Sequence, residues 1–360
     1  MKILFVDLDR EWRGGQSQAF LTVTGLRACG VDAQLLAVEG SPLALKAAAA
    51  GVPVHAVATR ARRFLAAWLL RRLLARENFD LVHVNEPHAL TSAWLGRAHT
   101  AVPVIVSRRV AYPIQKGRVA LKRYLTASRI VAISRFVAQS LLDSGIGAEH
   151  IEIVYEGVEI PPRITEQERA FARKRWRVDD RNILLGCVGY LLPEKGQEQL
   201  VRAFPAVRAR FPEARLLLAG DGRCRKTIES IAESSGQRDA VIFAGFVEDI
   251  RQVYAALDVF TFPSLAEPLG TSLLAAMAWG LPVVAVSSGG VPEYVQHEVT
   301  GLLATQAKPD LLSAELLRML GDYTLRSKLG NQARRKIEQD MSAGRMVDNT
   351  IQVYERAARK

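Results

Sequence analysis

The sequence predicts an α/β protein built from two doubly wound, Rossmann-like domains. At 360 residues, the chain exceeds the size at which a single core keeps growing, which favours two domains. Short runs that are apolar on both faces alternate with segments of helical period, as expected where helices cover both faces of a parallel sheet. The pair Pro161-Pro162 separates two such series and indicates a linker.

The first series fills residues 1–162 and predicts the N-terminal domain. Its strands are predicted at residues 3–6, 31–38, 52–57, 81–84, 102–107, 130–133 and 151–155. Helical periodicity covers residues 17–29, 43–50 and 62–76. This alternation is typical of parallel strands joined by crossover helices.

The second series fills residues 163–344 and predicts the C-terminal domain. Strands are predicted at residues 183–188, 215–219, 241–244, 259–262, 283–286 and 301–303, and helices at residues 166–176, 197–211, from about 271, and throughout the tail from about 310. Doubly wound sheets bind ligands at the carboxyl ends of their strands. We therefore expect the site in a cleft where the strand ends of the two domains face each other.

Net charge and cysteine content indicate which kinds of partner and which cellular compartment to expect. With 48 Lys and Arg against 37 Asp and Glu, the net charge of +11 implies an anionic partner such as a nucleotide, nucleic acid or an acidic membrane surface. Three unpaired-looking cysteines argue against a disulfide framework or a zinc site and indicate a reducing compartment. The N-terminus lacks a signal-peptide core and no apolar run is long enough to span a membrane, so we expect a cytoplasmic protein.

An acid and a glycine precede a predicted helix near Thr271. Glu267 is followed by Pro268, Leu269 and Gly270. Free backbone N–H groups and the positive end of a helix dipole favour a phosphate at such a place. An ordinary strand–helix crossover with a solvated Glu267 explains the local pattern equally well.

Two further loops carry glycines suited to a ligand. Gly14 and Gly15, followed by Gln16, lie between the first strand and the first helix. Glycine lets the backbone approach a ligand closely, although a tight turn explains the pair nearly as well. In the second series, Gly189 and Lys195 belong to the loop GYLLPEKG. A lysine fixed there suits a pyrophosphate, and a solvated surface lysine is the alternative.

Other motifs are weaker. Gly220-Asp221-Gly222 lacks the third glycine of a dinucleotide fingerprint, so a nicotinamide dehydrogenase is poorly supported. Asp7-Leu8-Asp9 has no obvious third ligand, so we interpret it as a capped loop and assign no metal. His83 alternates with apolar neighbours and is interpreted as packed, whereas His88, beyond the strand end, is a candidate for facing the cleft.

Two basic stretches run from Arg60 to Arg76 and from Arg108 to Arg129. Each is consistent with a helix that has a charged outer face. Trp and Leu residues beside arginines are also typical of a helix lying on an anionic bilayer. Nucleic acid fits less well, because no binding module is recognisable and aromatic residues are few.

Taken together, the motifs resemble those of the retaining GT-B glycosyltransferases of glycosyltransferase family 4. In order, they are WRGGQ from Trp12, RIVAISRFV from Arg129, VYEGVEI from Val154, GYLLPEKG from Gly189, ARLLLAGDG from Ala214, FAGF from Phe243, LDVFTFPS from Leu257, EPLGTSLLAAMAWGLPVV from Glu267 and SSGGVPEYV from Ser287. Each motif is weak alone, but the ordered set covers nearly the whole chain. The resemblance implies a GT-B fold whose last helix, about residues 345–360, packs back on the N-terminal domain.

The resemblance also implies where a nucleotide sugar binds. Lys195 matches the family's pyrophosphate-binding lysine, and Glu267 matches the first glutamate of the paired-glutamate motif, which orients the donor sugar. No metal is expected, because the lysine and a helix dipole neutralise the leaving diphosphate. The remaining implied donor contacts are the backbone at Gly189, Gly220, Leu269, Gly270 and Thr271, the strand end near Phe246, and the Gly14-Gly15-Gln16 turn of the other domain.

Three positions depart from the family pattern. Ala275 stands where the second glutamate, which usually binds ribose hydroxyls, is expected. Tyr190 replaces an arginine of the phosphate loop, and Arg108-Arg109 stands where many members have a histidine. Either arginine is a candidate to contact phosphate or an acidic acceptor.

These observations predict a metal-independent, retaining glycosyltransferase with a nucleotide-sugar co-substrate and no further cofactor. Its predicted acceptor is a glycan or a lipid-linked molecule of cell-envelope polysaccharide or lipopolysaccharide synthesis. We also expect peripheral attachment to the inner face of the membrane. Two alternatives remain: a nucleotide- or glycan-binding protein that has lost catalysis, motivated by Ala275 and Tyr190, and a sugar-nucleotide epimerase of the same fold.

Overall fold

The structure, a computed structural model, describes residues 1–114 and 118–358. The chain divides into two compact units, Met1–Gly157 with Ala343–Lys360 (unit 1) and Val158–Ser342 (unit 2). Residues 115–117, within the basic stretch from Arg108 to Arg129, lie outside the described residues. So do residues 359–360, at the end of the predicted last helix.

Unit 1 contains a seven-stranded, all-parallel sheet in the order β3-β2-β1-β4-β5-β6-β7. The strands are β1 (Lys2–Asp7), β2 (Asp32–Val38), β3 (Val54–Val57), β4 (Leu81–Val84), β5 (Val104–Arg108), β6 (Arg129–Ala132) and β7 (Ile151–Ile153). The helices are α1 (Gly14–Ala28), α2 (Pro42–Ala49), α3 (Arg62–Arg76), α4 (Pro87–Leu95), α5 (Arg118–Leu125), α6 (Arg135–Asp143) and the last helix of the chain, α14 (Ala343–Ala358). From β1, the strands β2 and β3 are added toward one edge of the sheet, and β4 to β7 are added toward the other edge. The topological switch point therefore lies between β1 and β4.

Helix α14 belongs to the core of unit 1, although it follows unit 2 in the chain. It packs against α1 at Gly25, where an added Cβ atom would lie 2.4 Å from Val347 Cγ2. Its Tyr354 is fully buried and reaches the sheet, since the Tyr354 hydroxyl lies 2.5 Å from His83 Nδ1. A glycine on α1 therefore allows the close approach that brings α14 onto the sheet.

Unit 2 contains a six-stranded parallel sheet in the order β10-β9-β8-β11-β12-β13. The strands are β8 (Ile183–Val188), β9 (Ala214–Ala219), β10 (Val241–Gly245), β11 (Val259–Phe262), β12 (Val283–Val286) and β13 (Leu302–Ala304). The helices are α7 (Glu166–Arg175), α8 (Gln197–Arg210), α9 (Arg225–Ser234), α10 (Arg251–Ala256), α11 (Thr271–Ala278), α12 (Pro309–Gly321) and α13 (Tyr323–Asp340). Here the switch lies between β8 and β11.

The predicted fold class is confirmed, since each unit is a doubly wound parallel sheet with its own core. One difference affects the candidate site. Helix α1 begins at Gly14 rather than at residue 17, so the glycine pair forms the first turn of the helix and not a loop before it. Helices α4, α5, α6, α9 and α10 have no counterpart among the predicted elements.

Candidate functional site

The candidate site of unit 2 lies at its topological switch, where loops follow β8 and β11. Crevices at such switch points are the usual ligand sites of open α/β sheets. The β8 loop runs from Gly189 to Gly196 and leads into α8, and the β11 loop runs from Pro263 to Gly270 and leads into α11. The sheet therefore brings together two loops that are more than sixty residues apart in sequence.

Lys195 and Glu267 form an ion pair across these two loops. Lys195 Nζ lies 2.7 Å from Glu267 Oε2. The Glu267 carboxylate is buried, and the lysine side chain is about one-third exposed. Ser264 Oγ lies 3.0 Å from the same carboxylate oxygen and 3.2 Å from the backbone oxygen of Glu194. The structure thus places the two predicted charged groups side by side and fixes the acid through a neighbouring hydroxyl.

Two glycines, one in the β8 loop and one after β12, allow neighbouring loops to approach the β11 loop closely. Gly196 has φ +69°, and a Cβ there would lie 2.0 Å from the backbone oxygen of Pro263. Gly289 has φ +55°, and a Cβ there would lie 2.0 Å from the backbone oxygen of Glu267. Any side chain would push the β11 loop away, so both positions require glycine for space as well as for backbone conformation.

Helix α11 begins beside this pair without a capping side chain. Its N-cap residue is Gly270, with φ +102°, and no side chain accepts a hydrogen bond from the first turn. The Tyr294 hydroxyl donates to the backbone oxygen of Leu269 at 2.6 Å and holds the loop before the helix. The first N–H groups, starting at Thr271, are therefore available to an anion.

In unit 2, the loop that follows β9 packs closely against the loop that follows β8. A Cβ on Gly220 (φ +139°) would lie 2.0 Å from the backbone oxygen of Gly189. The side chain of Tyr190 is about half exposed (49%), and that of Phe246, just after β10, is 80% exposed. Two exposed aromatic rings at strand ends are suited to stack on a planar ligand group.

Ala275 lies one turn into α11 and is partly exposed. Its methyl group offers no hydrogen bond to a ligand. Phe246 therefore stays the predicted contact to the base, and Tyr190 stays a predicted contact to the donor.

In unit 1, a buried acid organises the switch between β1 and β4. Asp7, at the end of β1, accepts hydrogen bonds from Asn85 Nδ2 at 2.6 Å and from Gln16 Nε2 at 3.1 Å. Asn85 Nδ2 also lies 3.2 Å from the backbone oxygen of Gly15. Burial raises the pKa of Asp7, while these amide donors lower it. The glycine turn is thus tied to two neighbouring strand ends.

The two candidate arginines have different surroundings. Arg108 is only 4% exposed, donates to the Tyr124 hydroxyl at 3.0 Å and stacks over the rings of Tyr112 and Tyr124. The prediction that Arg108 contacts a phosphate or an acceptor is therefore not supported by its position, because its guanidinium is enclosed by these two tyrosines. Arg109 instead reaches the switch, where its Nε lies 2.9 Å from Glu156 Oε1 and its Cδ lies 3.6 Å from a Cβ built on Gly15.

His88 lies in the first turn of α4, beyond the end of β4. The N-cap residue of α4 is Glu86, whose carboxylate accepts from the backbone N–H groups of His88 and Ala89. Burial and the neighbouring Asp7 raise the pKa of Glu86 to about 7. The pKa of His88 is lowered by burial and by nearby arginines. His83 is buried between Tyr354 and Ser107, as its alternation with apolar residues predicts.

Sequence reasoning did not find Asn85, Glu86, Glu156 or Ser264. A signal was present for all four, because Asn85 and Glu86 follow a buried strand directly and Glu156 belongs to the motif VYEGVEI. Ser264 follows β11 in the same way. In a doubly wound sheet, polar residues just after a strand are therefore candidates for the site even where no motif contains them.

Within residues 1–114 and 118–358, no group of three His, Cys, Asp or Glu side chains is placed to hold a metal ion. No helix of this described part combines the length and the apolar character needed to cross a bilayer.

Comparison with protein families matches both units. A family model described as "Glycosyl transferases group 1" matches residues 168–336, and one described as "Glycosyltransferase Family 4" matches residues 12–160. Each match falls on one of the two series predicted from the sequence.

Curated relatives include an uncharacterized glycosyltransferase of Methanocaldococcus jannaschii, 32% identical over 211 residues that cover 57% of this chain and 54% of that protein. A GDP-mannose-dependent alpha-(1-6)-phosphatidylinositol monomannoside mannosyltransferase of Mycobacterium tuberculosis is 31% identical over 269 residues, or 70% of each chain. The match spans about half the length of the first of these relatives and more than two thirds of the second.

Solved structures share the fold. The crystal structure of Anabaena HepE in complex with UDP and glucose superposes with a TM-score of 0.88 at 22% identity and covers 99% of both chains. Sucrose-phosphate synthase from Thermosynechococcus elongatus gives 0.80 at 19% identity, covering 99% of this chain and 98% of that one. At these identities the likeness concerns the fold alone.

Proposed function

Because the chain belongs to glycosyltransferase family 4, we propose that it transfers a sugar from a nucleotide-sugar donor to a glycan or lipid-linked acceptor. The transfer retains the configuration of the anomeric carbon and needs no metal ion. The observation that carries this proposal is the Lys195–Glu267 ion pair beside the uncapped start of α11. At this topological switch point, the lysine and the free N–H groups suit the diphosphate of a nucleotide sugar, and the glutamate suits its sugar hydroxyls.

In the proposed reaction, the bond between the anomeric carbon and the diphosphate oxygen breaks while the acceptor hydroxyl attacks that carbon. Lys195 and the N–H groups from Thr271 stabilise the negative charge that develops on the leaving diphosphate. Glu267 accepts hydrogen bonds from the sugar hydroxyls and orients the ring. The proton of the acceptor passes to a phosphate oxygen of the leaving group.

The test is release of nucleoside diphosphate by Lys195→Ala and Glu267→Ala variants. We expect kcat/KM to fall on the order of 100-fold in each, as when a charge-stabilising group is removed from other active sites. Lys226→Ala, at an exposed lysine of unit 2, serves as the control and keeps the wild-type rate. Unchanged turnover in both site variants would contradict the assignment.

Two rival functions are separated by the products. A binding protein without catalysis, which Ala275 and Tyr190 favour, binds nucleotide sugars in calorimetry but turns none over with any acceptor. An epimerase of the same fold converts the donor in the absence of acceptor, and NMR of the incubated donor would reveal this.

The donor and the acceptor are proposed by class only. One relative is named for GDP-mannose and phosphatidylinositol monomannoside, and the HepE structures contain UDP, glucose or UDP-glucose. We therefore propose a hexose donor and an acceptor of cell-envelope polysaccharide or lipopolysaccharide synthesis. A thermal-shift screen with UDP-, GDP- and ADP-sugars identifies the base, because a ligand that binds the native state raises the unfolding temperature.

We further propose a cytoplasmic protein whose unit 1 contacts an anionic membrane surface through α3. Phe64 and Trp68, one turn apart on this helix, are 70% and 59% exposed, and the Arg72 guanidinium lies over the Trp68 ring. Exposed aromatic rings flanked by arginines suit the headgroup region of a bilayer. Co-sedimentation with anionic vesicles is expected to fall in a Phe64→Ser/Trp68→Ser variant, and binding independent of anionic lipid would count against the proposal.

A further inference from the structure

Lys195 and Glu267 are paired with each other, although the proposed reaction uses them for different parts of the donor. Lys195 Nζ lies 2.7 Å from Glu267 Oε2. In the part of the chain that the structure describes, neither side chain has a second partner of opposite charge within 4.0 Å. A ligand that draws the lysine to its diphosphate therefore competes with Glu267 for this cation.

The two partners of this ion pair are held differently. Ser264 Oγ lies 3.0 Å from Glu267 Oε2, and Ser264 is only 1% exposed. The backbone oxygen of Glu267 accepts from the backbone N–H of Gly290 at 2.9 Å. Lys195, in contrast, has 29% of its side chain exposed and reaches the acid at the end of a flexible four-carbon stem. The acid is therefore fixed, and the lysine is the partner that can move.

The two oxygens of the Glu267 carboxylate have different surroundings. Lys195 and Ser264 both contact Oε2. Among the described residues, no hydrogen-bond donor reaches Oε1. A buried carboxylate is costly unless a cation or hydrogen-bond donors compensate its charge. Oε1 is therefore available to the hydroxyls of a sugar, and loss of the lysine must be compensated there.

Resting on the function proposed above, we propose that Glu267 distinguishes the donor from the product by competing with the diphosphate for Lys195. In the donor complex, the sugar hydroxyls donate to Glu267 and compensate its charge while the lysine binds the diphosphate. After transfer, the nucleoside diphosphate still draws the lysine away, but no hydroxyl of the donor sugar remains at the acid. The product complex leaves Glu267 with the fewest partners, so the return of Lys195 to the acid favours product release.

The experiment compares the Kd of each nucleoside diphosphate with that of its nucleotide sugar by calorimetry, in the wild type and in Glu267→Gln. The probes are UDP with UDP-glucose, GDP with GDP-mannose and ADP with ADP-glucose. In Glu267→Gln, the Kd of the nucleoside diphosphate should fall at least about fivefold, because Lys195 is no longer held by a charged competitor. The nucleotide sugar gains no such affinity, because its hydroxyls lose a charged acceptor. An unchanged or higher Kd for the nucleoside diphosphate would overturn the proposal.

Glu198→Gln is the matched control, because it removes the same charge three residues after Lys195 in the sequence. Glu198 pairs with Arg202, at 3.0 Å, and not with Lys195. This control should keep both wild-type Kd values. An equal gain in nucleoside diphosphate affinity in the two variants would overturn the proposal in favour of a general effect of net charge.

A Lys195→Met background separates competition for the lysine from direct repulsion between the acid and the diphosphate. Without the lysine, Glu267→Gln should change the Kd of the nucleoside diphosphate by less than about twofold, because there is no cation to release. The same gain in both backgrounds would show direct repulsion and would overturn the competition.

These measurements require no turnover, so the inference is separable from the proposed function. A wild type that transfers sugar, but whose affinities do not respond to Glu267→Gln as expected, contradicts the inference alone. A wild type that shows the expected response but transfers no sugar contradicts the proposed transfer alone. A wild type that binds none of the three pairs of probes contradicts both.

Discussion

Asp7 is the acid around which the switch of unit 1 is assembled. Its carboxylate accepts from Asn85 and Gln16, and Asn85 in turn contacts the backbone of Gly15. All three side chains are buried. The position of the glycine turn therefore depends on a side-chain network within unit 1.

We predict that Asp7→Ala lowers the free energy of unfolding by about 2–4 kcal/mol, because the amides of Gln16 and Asn85 lose a buried charged acceptor. Urea denaturation followed by circular dichroism measures the change. Asp143→Ala is the control at an exposed acid of the same unit and should cost less than about 0.5 kcal/mol. Equal effects in the two variants would show that Asp7 does not organise the turn.

His83 gives a prediction about pH. Its ring is buried between the hydroxyls of Tyr354 and Ser107, and burial lowers its pKa to about 3. Between that value and the ordinary pKa near 6.5, the unfolded chain binds a proton that the folded chain does not. The free energy of unfolding therefore increases with pH in this window, by at most about 1.4 kcal/mol per pH unit from this group.

Urea titrations of the wild type and of His83→Asn at pH 4, 5, 6 and 7 test this expectation. The variant is less stable overall, and its stability should depend less steeply on pH in that range. Glu86, whose pKa is raised to about 7, contributes a slope of the opposite sign, since its folded form binds the extra proton. Its contribution is common to both proteins, so parallel curves would contradict the role of His83.

For individual residues, the sequence predicts the site residues that belong to a known motif. It does not predict those that come together only when the chain folds. The sequence predicts Lys195 and Glu267 as site residues because each belongs to a contiguous motif. Asn85 lies seventy-eight residues from Asp7, and no local pattern shows that two strand ends meet. Arg108 and Arg109 are neighbours in sequence, yet one is enclosed by tyrosines and the other reaches Gly15, a distinction that depends on packing.

Among the elements, the start of α8 sets the position of Lys195. Gly196 is the N-cap residue of this helix, has φ +69° and approaches Pro263 too closely for any Cβ. We predict that Gly196→Ala both destabilises unit 2 and reduces nucleoside diphosphate release, because the β8 and β11 loops must separate. The cost should exceed the roughly 1 kcal/mol of the backbone conformation alone.

Gly236→Ala measures the cost of the left-handed backbone conformation alone, without a steric clash. Gly236 has φ +68°, and nothing lies within 4 Å of a Cβ built there. Thermal unfolding of the two variants should therefore show a larger loss for Gly196→Ala, and only Gly196→Ala should affect turnover. Similar losses and unchanged turnover in both would mean that the loop contact is unimportant.

The elements with strong apolar runs were predicted well. Strands β8 and β11 and helix α3 have the predicted bounds. Helix α10 has only six residues, too few to show a helical period, and α4 carries a weak pattern broken by Pro87, His88 and Thr91. The sequence pattern predicts a start of α1 that is three residues too late, because glycines usually mark loops, whereas here Gly14 and Gly15 are in the first turn.

For the whole molecule, α14 is the element that completes the core of unit 1, although it follows unit 2 in the chain. Truncation after Ser342 removes Tyr354 and Val347, which pack on the sheet and on Gly25 of unit 1. We predict that hydrogen exchange becomes faster throughout unit 1 in this variant, while amides of unit 2 keep their protection. Tyr354→Phe, which removes only the hydroxyl, should cost about 0.5–1.5 kcal/mol. Uniform loss of protection in both units would contradict this division.

The doubly wound topology of both units followed from the alternation of apolar runs, because parallel strands require crossover helices. The membership of α14 in unit 1 was implied only by resemblance. The helical period of α14 does not predict which of the two sheets this helix covers, because the apolar face of an amphipathic helix can pack on either sheet.

The placement of α14 also has a consequence for biosynthesis. The ribosome makes the seven strands of unit 1 first, but the helix that covers α1 emerges only after all of Val158–Ser342. At roughly 5–20 residues per second, that delay is on the order of ten seconds or more. During it, the apolar side of α1 around Gly25 is uncovered and His83 lacks its tyrosine. Nascent unit 1 therefore exposes this apolar surface until translation has passed unit 2.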